Sequence, residues 1–524
     1  MQLHTLLASL EENPQAFHSA GGTANMLPGT YESSAITELA YDSRQVQPGG
    51  LFVAVPGTHT DGRRFLADAA RRGALAALGE PLQDNASPPL LYIEVRDVRI
   101  ALANLACSFY DYPTRKLCSI GVTGTDGKTT TSNLISIILE AAGRSTGLMT
   151  TANFRLNGQA WENSSRQSTL EALEVQQFLR RALAAGATHA VIETTSHGLE
   201  LQRVRGCEFD VGVVTNITSE HLDFHKTIER YRRAKARLFE MLDPTRHKDA
   251  TARPVAVLNR DDSSYEALKP YCRVPILDYG LDQRAAVRAV DVDLRAASTR
   301  FRAILPDNEV AIETRLIGRF NVSNCLAAIA ATYSQGITLA DIARGLAQVT
   351  GVSGRMEHID EGQPFTVIVD YAHTAESLEK VIATLRPLTA GKVIAVFGSA
   401  GERDLQKRPV MGKIAAQMAD FFVITDEDPR EEDREQILRA IATGAEAVGK
   451  REGRDFLCIA DRTQAIASAF AHARPGDTVL LAGKGHEQSI IMGREKIPWD
   501  DRRVARAQLR ASGYRTLMVE SEES

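Results

Sequence analysis

Residues 121–130 read GVTGTDGKTT, two glycines after the opening one, a lysine and paired threonines in an order that could close around phosphate. Gly124 and Gly127 would let backbone N–H groups approach an anion. Lys128 could neutralise β- and γ-phosphate charge, and Thr129 could place a hydroxyl on Mg²⁺. The usual phosphate loop has four residues between its first glycine and Gly-Lys-Ser/Thr, whereas Gly124 lies only three positions before Gly127. Glycine-rich turns between strand and helix are common, but a Lys-Thr pair at the helix start favours a nucleotide site. Glu193 and His221 end or follow the next two apolar runs, HAVIETTSH and DVGVVTNITSEH. A carboxylate and an imidazole beside phosphates could hold a metal ion; taken singly, each reads as a hydrogen-bonded structural residue. Lys235, in YRRAKARLF, reads by itself as a solvated helix lysine.

The elements around the loop suit this chemistry. LCSIGV reads as a strand and TSNLISIILEAAG as a helix, the context a phosphate loop requires. From about residue 351, four apolar runs end in polar clusters: FTVIVDYAH, KVIAVFGSAGERD, DFFVITDEDPRE and DTVLLAGKGHE. Helical stretches separate them; in AESLEKVIATL, Leu378, Val381, Ile382 and Leu385 recur at helical spacing. Alternating strands and helices predict a doubly wound parallel sheet. Ligands bind such sheets beyond the strands' carboxyl ends, where the polar clusters fall, so this segment should bind a ligand of its own. The expected organisation is α/β in three domains, 1–112, 113–350 and 351–524, with YDYPTRK as the first linker.

Composition excludes several classes. Over 524 residues, 44% hydrophobic and 24% charged, the chain should be soluble and globular. A net charge of −5 with interspersed signs gives no case for nucleic-acid or membrane partners. Cys107, Cys118, Cys207, Cys272, Cys325 and Cys458 are far apart, which argues against a disulfide framework or zinc site and fits a reducing cytoplasm. The N-terminus MQLHTLLASLEENP lacks the features of a signal peptide, and no apolar run approaches the ~20 residues of a membrane span.

The blocks GTDGKTT, ETTSHGLEL, NITSEHLDFH, YRRAKARLF, GRFNVSN, SGRME, DYAHT, GERDLQKRP and GKGHE occur in an order that resembles the Mur ligases, from about residue 38 to about residue 490. YDSRQVQPGGLFVAVPGTHTDGRRF looks like the family's UDP-sugar segment. The resemblance implies an N-terminal UDP-binding α/β domain, a central P-loop-type ATPase domain with a mainly parallel sheet, and a C-terminal Rossmann-like domain. It also implies a cytoplasmic, monomeric, ATP- and Mg²⁺-dependent acid–amino-acid ligase of peptidoglycan assembly. That enzyme would add meso-diaminopimelate, or L-lysine/L-ornithine, to UDP-N-acetylmuramoyl-L-alanyl-D-glutamate through an acyl phosphate. By the same resemblance Gly124, Thr125, Asp126, Gly127, Lys128, Thr129, Thr130, Asn324, Arg355 and Asp370 would bind ATP. Thr129, Glu193, His221 and Lys235, the last as a carbamate, would hold metal. Ser43, Thr58, His59, Thr60, Ser168, Thr169, Thr195 and Arg203 would hold the UDP-linked dipeptide. The nearest alternative is a folylpolyglutamate synthetase-type ligase of the same fold, which should lack the N-terminal uridine-binding segment.

Departures from the family pattern are local. Asp126 replaces the usual Asn, Thr195 replaces a Ser, and Gln167 stands at an Asn position. Members that add diaminopimelate carry Asp-Asn-Pro-Arg where this chain has Glu427, Asp428, Pro429 and Arg430. Arg430 could pair bidentately with a distal carboxylate. Asp428 should repel that carboxylate and attract a terminal ammonium, or else pair with Arg430. Without the resemblance, DEDPREED reads as an acidic, solvated helix start. Arg403, Gly483 and Glu487 match positions that contact the incoming amino acid.

Overall fold

The strand Cys118–Thr123 lies inside an eleven-stranded sheet, flanked in parallel by His189–Glu193 and Val211–Val214. Covered on both faces, it carries a near-continuous apolar run rather than an alternating one. The computed structural model describes residues 1–19, 22–24, 26, 28–57, 60–82, 88–163, 165, 167–218, 222–246, 248, 253–295, 298–349 and 351–514. Thr58, His59 and His221 therefore lie outside the described residues. The strands from Thr146–Met149 to Val287–Leu294 pair in parallel. Antiparallel strands extend both edges, Asn153–Leu156 and Gln159–Glu162 at one end and Thr299–Ile304 and Glu309–Thr314 at the other.

The helix Lys128–Ala141 follows the phosphate loop and buries Leu134, Ile135, Ile138 and Leu139. These side chains share a core with Val322, Cys325, Leu326 and Ile329 of the helix Arg319–Tyr333. The second helix is alanine-rich and buried on nearly every side, as expected of one enclosed between a sheet and other helices. Together they fix the amino end of Lys128–Ala141 against the ends of the central strands.

The N-terminal sheet is mixed. Leu39–Ala40, Leu51–Val53, Ala76–Gly79 and Leu91–Glu94 run parallel, and Ala16–Ser19 and Gly22–Ala24 are antiparallel additions. The chain leaves this sheet through the helix Val98–Phe109, then turns at Asp111 and Tyr112, both at positive φ. The predicted linker is a packed turn here: Pro113 and Thr114 are buried, and the Arg115 guanidinium lies 3.9 Å from the Tyr112 ring centre.

In the C-terminal sheet the four predicted runs are all strands: Thr366–Asp370, Val393–Phe397, Phe421–Ile424 and Thr478–Ala482, paired in parallel. Thr478–Ala482, latest of these in the chain, inserts between Thr366–Asp370 and Val393–Phe397. That reversal of strand order opens a crevice beyond the carboxyl ends. Apolar layers cover both faces, one around Ile382, Phe397 and Phe422, the other around Val396, Ile466 and Leu481. The expected α/β architecture, mainly parallel in the centre and doubly wound at the C-terminus, is borne out. Short strands Glu357–Ile359 and Phe456–Cys458, and the hairpin Ser489–Met492 with Glu495–Pro498, carried too few alternating apolar residues to be foreseen. Among the described residues, no helix is long and apolar enough to cross a membrane, and the six cysteines are free thiols.

Candidate functional site

Gly127 caps the helix Lys128–Ala141 at φ +80°, and a Cβ on it would lie 2.3 Å from Asn324 Oδ1. Glycine is required there for both backbone shape and space. The helix's first N–H groups lack intrahelical acceptors, which makes its amino end attractive to anions. Lys128 Nζ folds back onto the Thr125 carbonyl at 2.7 Å. Thr129 donates its hydroxyl to Glu193 Oε2 at 2.9 Å. Thr151 donates its N–H to the same oxygen at 2.9 Å and its hydroxyl to Oε1 at 2.8 Å. Glu193 ends its strand almost fully buried, held by three donors.

Lys235 is not a solvated helix lysine. It is 1% exposed, with Nζ 2.6 Å from the Gly124 carbonyl and 4.4 Å from the Tyr231 ring centre. The Tyr231 hydroxyl reaches Thr125 Oγ1 at 3.1 Å, so this helix supports the loop from beneath. Asp126 is paired across the domain boundary. Its carboxylate lies 3.2 Å from Lys380 Nζ on the helix Ala375–Leu385. With side chains 42% and 44% exposed, this pair is worth under about 1 kcal/mol; its consequence is to offset the extra negative charge in the loop.

Asp126, Gly127, Asn324, Arg355, Asp370 and Lys380 line one cleft between the central and C-terminal sheets. Asn324 donates to Asn321 Oδ1 at 3.1 Å. The Arg355 guanidinium lies 4.6 Å from the Tyr371 ring centre, and its Nε is buried without an acceptor. Asp370 accepts the N–H groups of Met356 (2.7 Å) and Ala372 (2.8 Å). Burial pushes its carboxyl pKa up, and Arg355 opposes that shift.

Behind Glu193, Thr169, Thr195 and Arg203 converge. Thr169 Oγ1 lies 3.0 Å from the Glu193 carbonyl and 3.1 Å from Thr195 Oγ1. Arg203 donates to the Thr169 carbonyl at 2.9 Å and pairs with Glu171 at 2.6 Å. Ser168 is partly exposed beside them. Ser43 and Thr60 sit on the N-terminal sheet's loops, Ser43 buried and bonded to Asp68, Thr60 exposed.

Only the first half of DEDPREED departs from an acidic, solvated helix start; Glu431 and Asp433 are exposed. Asp426, Glu427 and Asp428 are buried, and the next helix begins at Arg434, capped by Asp433. Asp428 does not face the site as an uncompensated charge. Its Oδ1 accepts from Lys484 Nζ at 2.8 Å and from the Ile491 N–H at 2.9 Å. Lys484 is fully buried and also lies 2.5 Å from Glu487 Oε2. Glu427 Oε2 and Arg430 Nε are buried without partners. A carboxylate and a guanidinium with unmet bonding capacity complement the ammonium and carboxylate of an amino acid. Pro429 lies between them in the loop, Gly483 packs over Glu427, and Arg403 is exposed on the loop after Val393–Phe397.

Sequence reasoning missed the residues that organise this end. Arg462 is fully buried, donates to the carbonyls of Asp426 (3.1 Å) and Ala482 (2.8 Å), and pairs with Asp501 at 2.6 Å. It therefore pins the backbones of both loops that carry the candidate amino-acid contacts. Lys484 and His486 lay within GKGHE, but a lysine between glycines gives no sign of burial.

Comparison with known proteins agrees with this geometry. Residues 122–332 match the Mur ligase middle domain, 354–485 the Mur ligase glutamate ligase domain, and 35–110 the model described as Mur ligase family, catalytic domain. The chain belongs to the Mur ligase family. It is thus an enzyme, an ATP-dependent ligase. It is 49% identical to a UDP-N-acetylmuramyl-tripeptide synthetase of Roseiflexus sp. (strain RS-1), over 98% of this chain and 100% of that protein. It is 42% identical to a UDP-N-acetylmuramoyl-L-alanyl-D-glutamate–2,6-diaminopimelate ligase of Geobacillus kaustophilus (strain HTA426), over 91% and 96% of the two chains. A solved structure of a ligase with the latter name superposes with a TM-score of 0.64 at 30% identity, covering 93% of this chain and 98% of its own. As a Mur ligase of this branch, the protein acts in peptidoglycan synthesis.

Proposed function

We propose that this Mur ligase joins a diamino acid to the γ-carboxylate of UDP-N-acetylmuramoyl-L-alanyl-D-glutamate in the cytoplasm, through an acyl phosphate formed from ATP. The observation that carries the reading is one cleft shared by the phosphate loop and the C-terminal sheet. It sets Asp126, Gly127, Thr130 and Asn324, at the amino end of the helix Lys128–Ala141, against Arg355, Asp370 and Lys380 of the C-terminal segment. The names of the relatives support the substrate, and the family match over 35–110 supports a UDP-sugar domain over the folylpolyglutamate alternative.

In this mechanism the nucleotide lies between Asn324 and Asp370, with its phosphates against the loop's N–H groups, Lys128 and Arg355. Thr169, Thr195 and Arg203 place the D-glutamyl end behind Glu193. A carboxylate and a triphosphate repel each other, so the site must concentrate positive charge, and Lys128 and Arg355 supply it. A γ-carboxylate oxygen attacks the γ-phosphorus and ADP leaves. The neutral amine of the incoming residue attacks the acyl carbon, a tetrahedral intermediate forms, and phosphate departs with loss of the amine proton. Closure of the cleft excludes water from the acyl phosphate.

The residues present fit Mg²⁺. Thr129 and Glu193 offer hard oxygen donors in contact, and this ion usually takes one or two protein oxygens, with water and phosphate completing its shell. Among the described residues, which leave out His221, no three of His, Cys, Asp and Glu cluster as a self-sufficient metal cage. When bound, Mg²⁺ would neutralise phosphate charge. Lys235 as an ammonium cannot ligate it; as a carbamate it could.

Because Lys484 offsets Asp428, that carboxylate alone does not choose between diaminopimelate and lysine or ornithine. Phosphate release should require ATP, the UDP-linked dipeptide and one of these three amino acids together. ATP hydrolysis that ignores the dipeptide, or turnover with monoamino acids only, would sink the reading.

A further inference from the structure

Two neighbouring residues at the start of the helix Asp501–Ala511 hold different parts of the molecule. Asp501 pairs with Arg462, which donates to the Asp426 and Ala482 carbonyls on the amino-acid side. Arg502, the next residue, has a side chain only 11% exposed and bonds to three separate places in the chain. Its Nε and Nη2 donate to Asp500, which caps the same helix, at 2.9 Å and 2.7 Å. Its Nη1 donates to the Ser353 hydroxyl. Its Nη2 also donates to Glu162 Oε1 at 2.8 Å. Glu162 ends the strand Gln159–Glu162 on the edge of the central sheet, 340 positions away in the chain.

Ser353 lies in the turn through which the chain enters the C-terminal sheet. The Arg355 N–H closes this turn on the Val352 carbonyl at 2.9 Å, and the Gly354 N–H donates to Glu357 at 2.8 Å. Gly354, at φ +62°, packs so closely that a Cβ would lie 2.1 Å from the His486 nitrogen. Two residues after Ser353, Arg355 lines the cleft opposite Asp126, Gly127 and Asn324. Asp126 and Lys380 also pair across this boundary, but they line the cleft themselves, whereas neither Glu162 nor Arg502 does.

We infer that Arg502 is a positioning residue that fixes the C-terminal sheet against the central one, by joining the turn that carries Arg355 to the edge strand at Glu162. The inference rests on the reading above of the cleft as the nucleotide site. A nucleotide held from both sides binds only the arrangement in which both sides face it. Its apparent affinity falls with the population of that arrangement. The bond from Arg502 to Glu162 breaks as soon as the two sheets move apart, so it favours the binding arrangement without touching the nucleotide. The UDP-linked dipeptide, placed by Thr169, Thr195 and Arg203 of the central segment, does not depend on it.

Glu162→Ala, Arg502→Met and the double variant test this. The readouts are calorimetric affinities for AMP-PNP with Mg²⁺ and, separately, for the UDP-linked dipeptide. A charge-assisted hydrogen bond at a partly exposed site sets the scale. Glu162→Ala should bind AMP-PNP about 5–10-fold more weakly, and Arg502→Met at least as much more weakly, with dipeptide affinity unmoved in both. The double variant should bind AMP-PNP no more weakly than Arg502→Met, because the second substitution removes a bond already lost. Wild-type AMP-PNP affinity in Glu162→Ala, or losses that multiply in the double variant, would overturn the inference, since Arg502 would then serve its own helix and turn alone. A parallel fall in dipeptide affinity would overturn it as well, because it reports general damage to the fold. If circular dichroism shows Arg502→Met unfolded, Glu162→Ala decides alone. A wild-type enzyme that binds AMP-PNP but shows no ligase turnover would defeat the proposed function and leave this test in force.

Discussion

Lys235→Ala is expected to lower turnover by about 10²–10³-fold, the scale of losing one preorganised charged group at a phosphoryl-transfer site. The side chain is 1% exposed and sits against the Gly124 carbonyl at 2.6 Å, so its removal empties a space directly beneath the phosphate loop. If the lysine works as a carbamate, the lost group is an anion with two oxygens, and bicarbonate or short carboxylates should restore part of the rate. If it works only as an ammonium supporting the loop, small amines should restore activity and carboxylates should not. Steady-state phosphate release with each additive separates the two. Full activity of the alanine variant without additives would refute any role for this residue at the site.

Asp501→Ala should destabilise the C-terminal domain by about 3–5 kcal/mol, the usual cost of leaving a buried charge without its partner. Arg462 and Asp501 are both fully buried, 2.6 Å apart. Without Asp501, the guanidinium keeps only carbonyl acceptors at Asp426 and Ala482. At about 2–4 °C per kcal/mol for a domain of this size, the midpoint should fall by roughly ten degrees, measured by calorimetry. A double variant, Arg462→Met with Asp501→Leu, should recover much of that stability because both charges are gone. It should not recover amino-acid KM, since the Asp426 and Ala482 carbonyls lose their common donor. A loss below about 1 kcal/mol in Asp501→Ala would show that the pair is solvated in solution.

Much of this enzyme is decided by local pattern. GTDGKTT between a buried strand and an amphipathic helix specifies the phosphate loop, because only glycine accepts φ +80° beside Asn324 and because the helix end supplies N–H donors. The four apolar runs of the C-terminal segment specify parallel strands because both faces are covered. The helix Ala375–Leu385 is legible from its apolar spacing, and the structure adds a Thr374–Ser377 capping box at its start.

Pairing between distant side chains was not legible, because a charge carries no mark of its partner. Lys235 read as solvated until the fold placed it under Gly124. The first half of DEDPREED read as solvated until Lys484 and Arg462, from distant parts of the chain, closed on it. Asp126 was an unexplained negative charge in a phosphate loop; Lys380, 254 positions away, answers it across the cleft. The sequence by itself determined the loop, the sheets and the family's chemistry, because those follow from near-neighbour spacing. Which charges are spent on each other and which remain for substrate was decided only when the tertiary structure brought the three sheets' loops together.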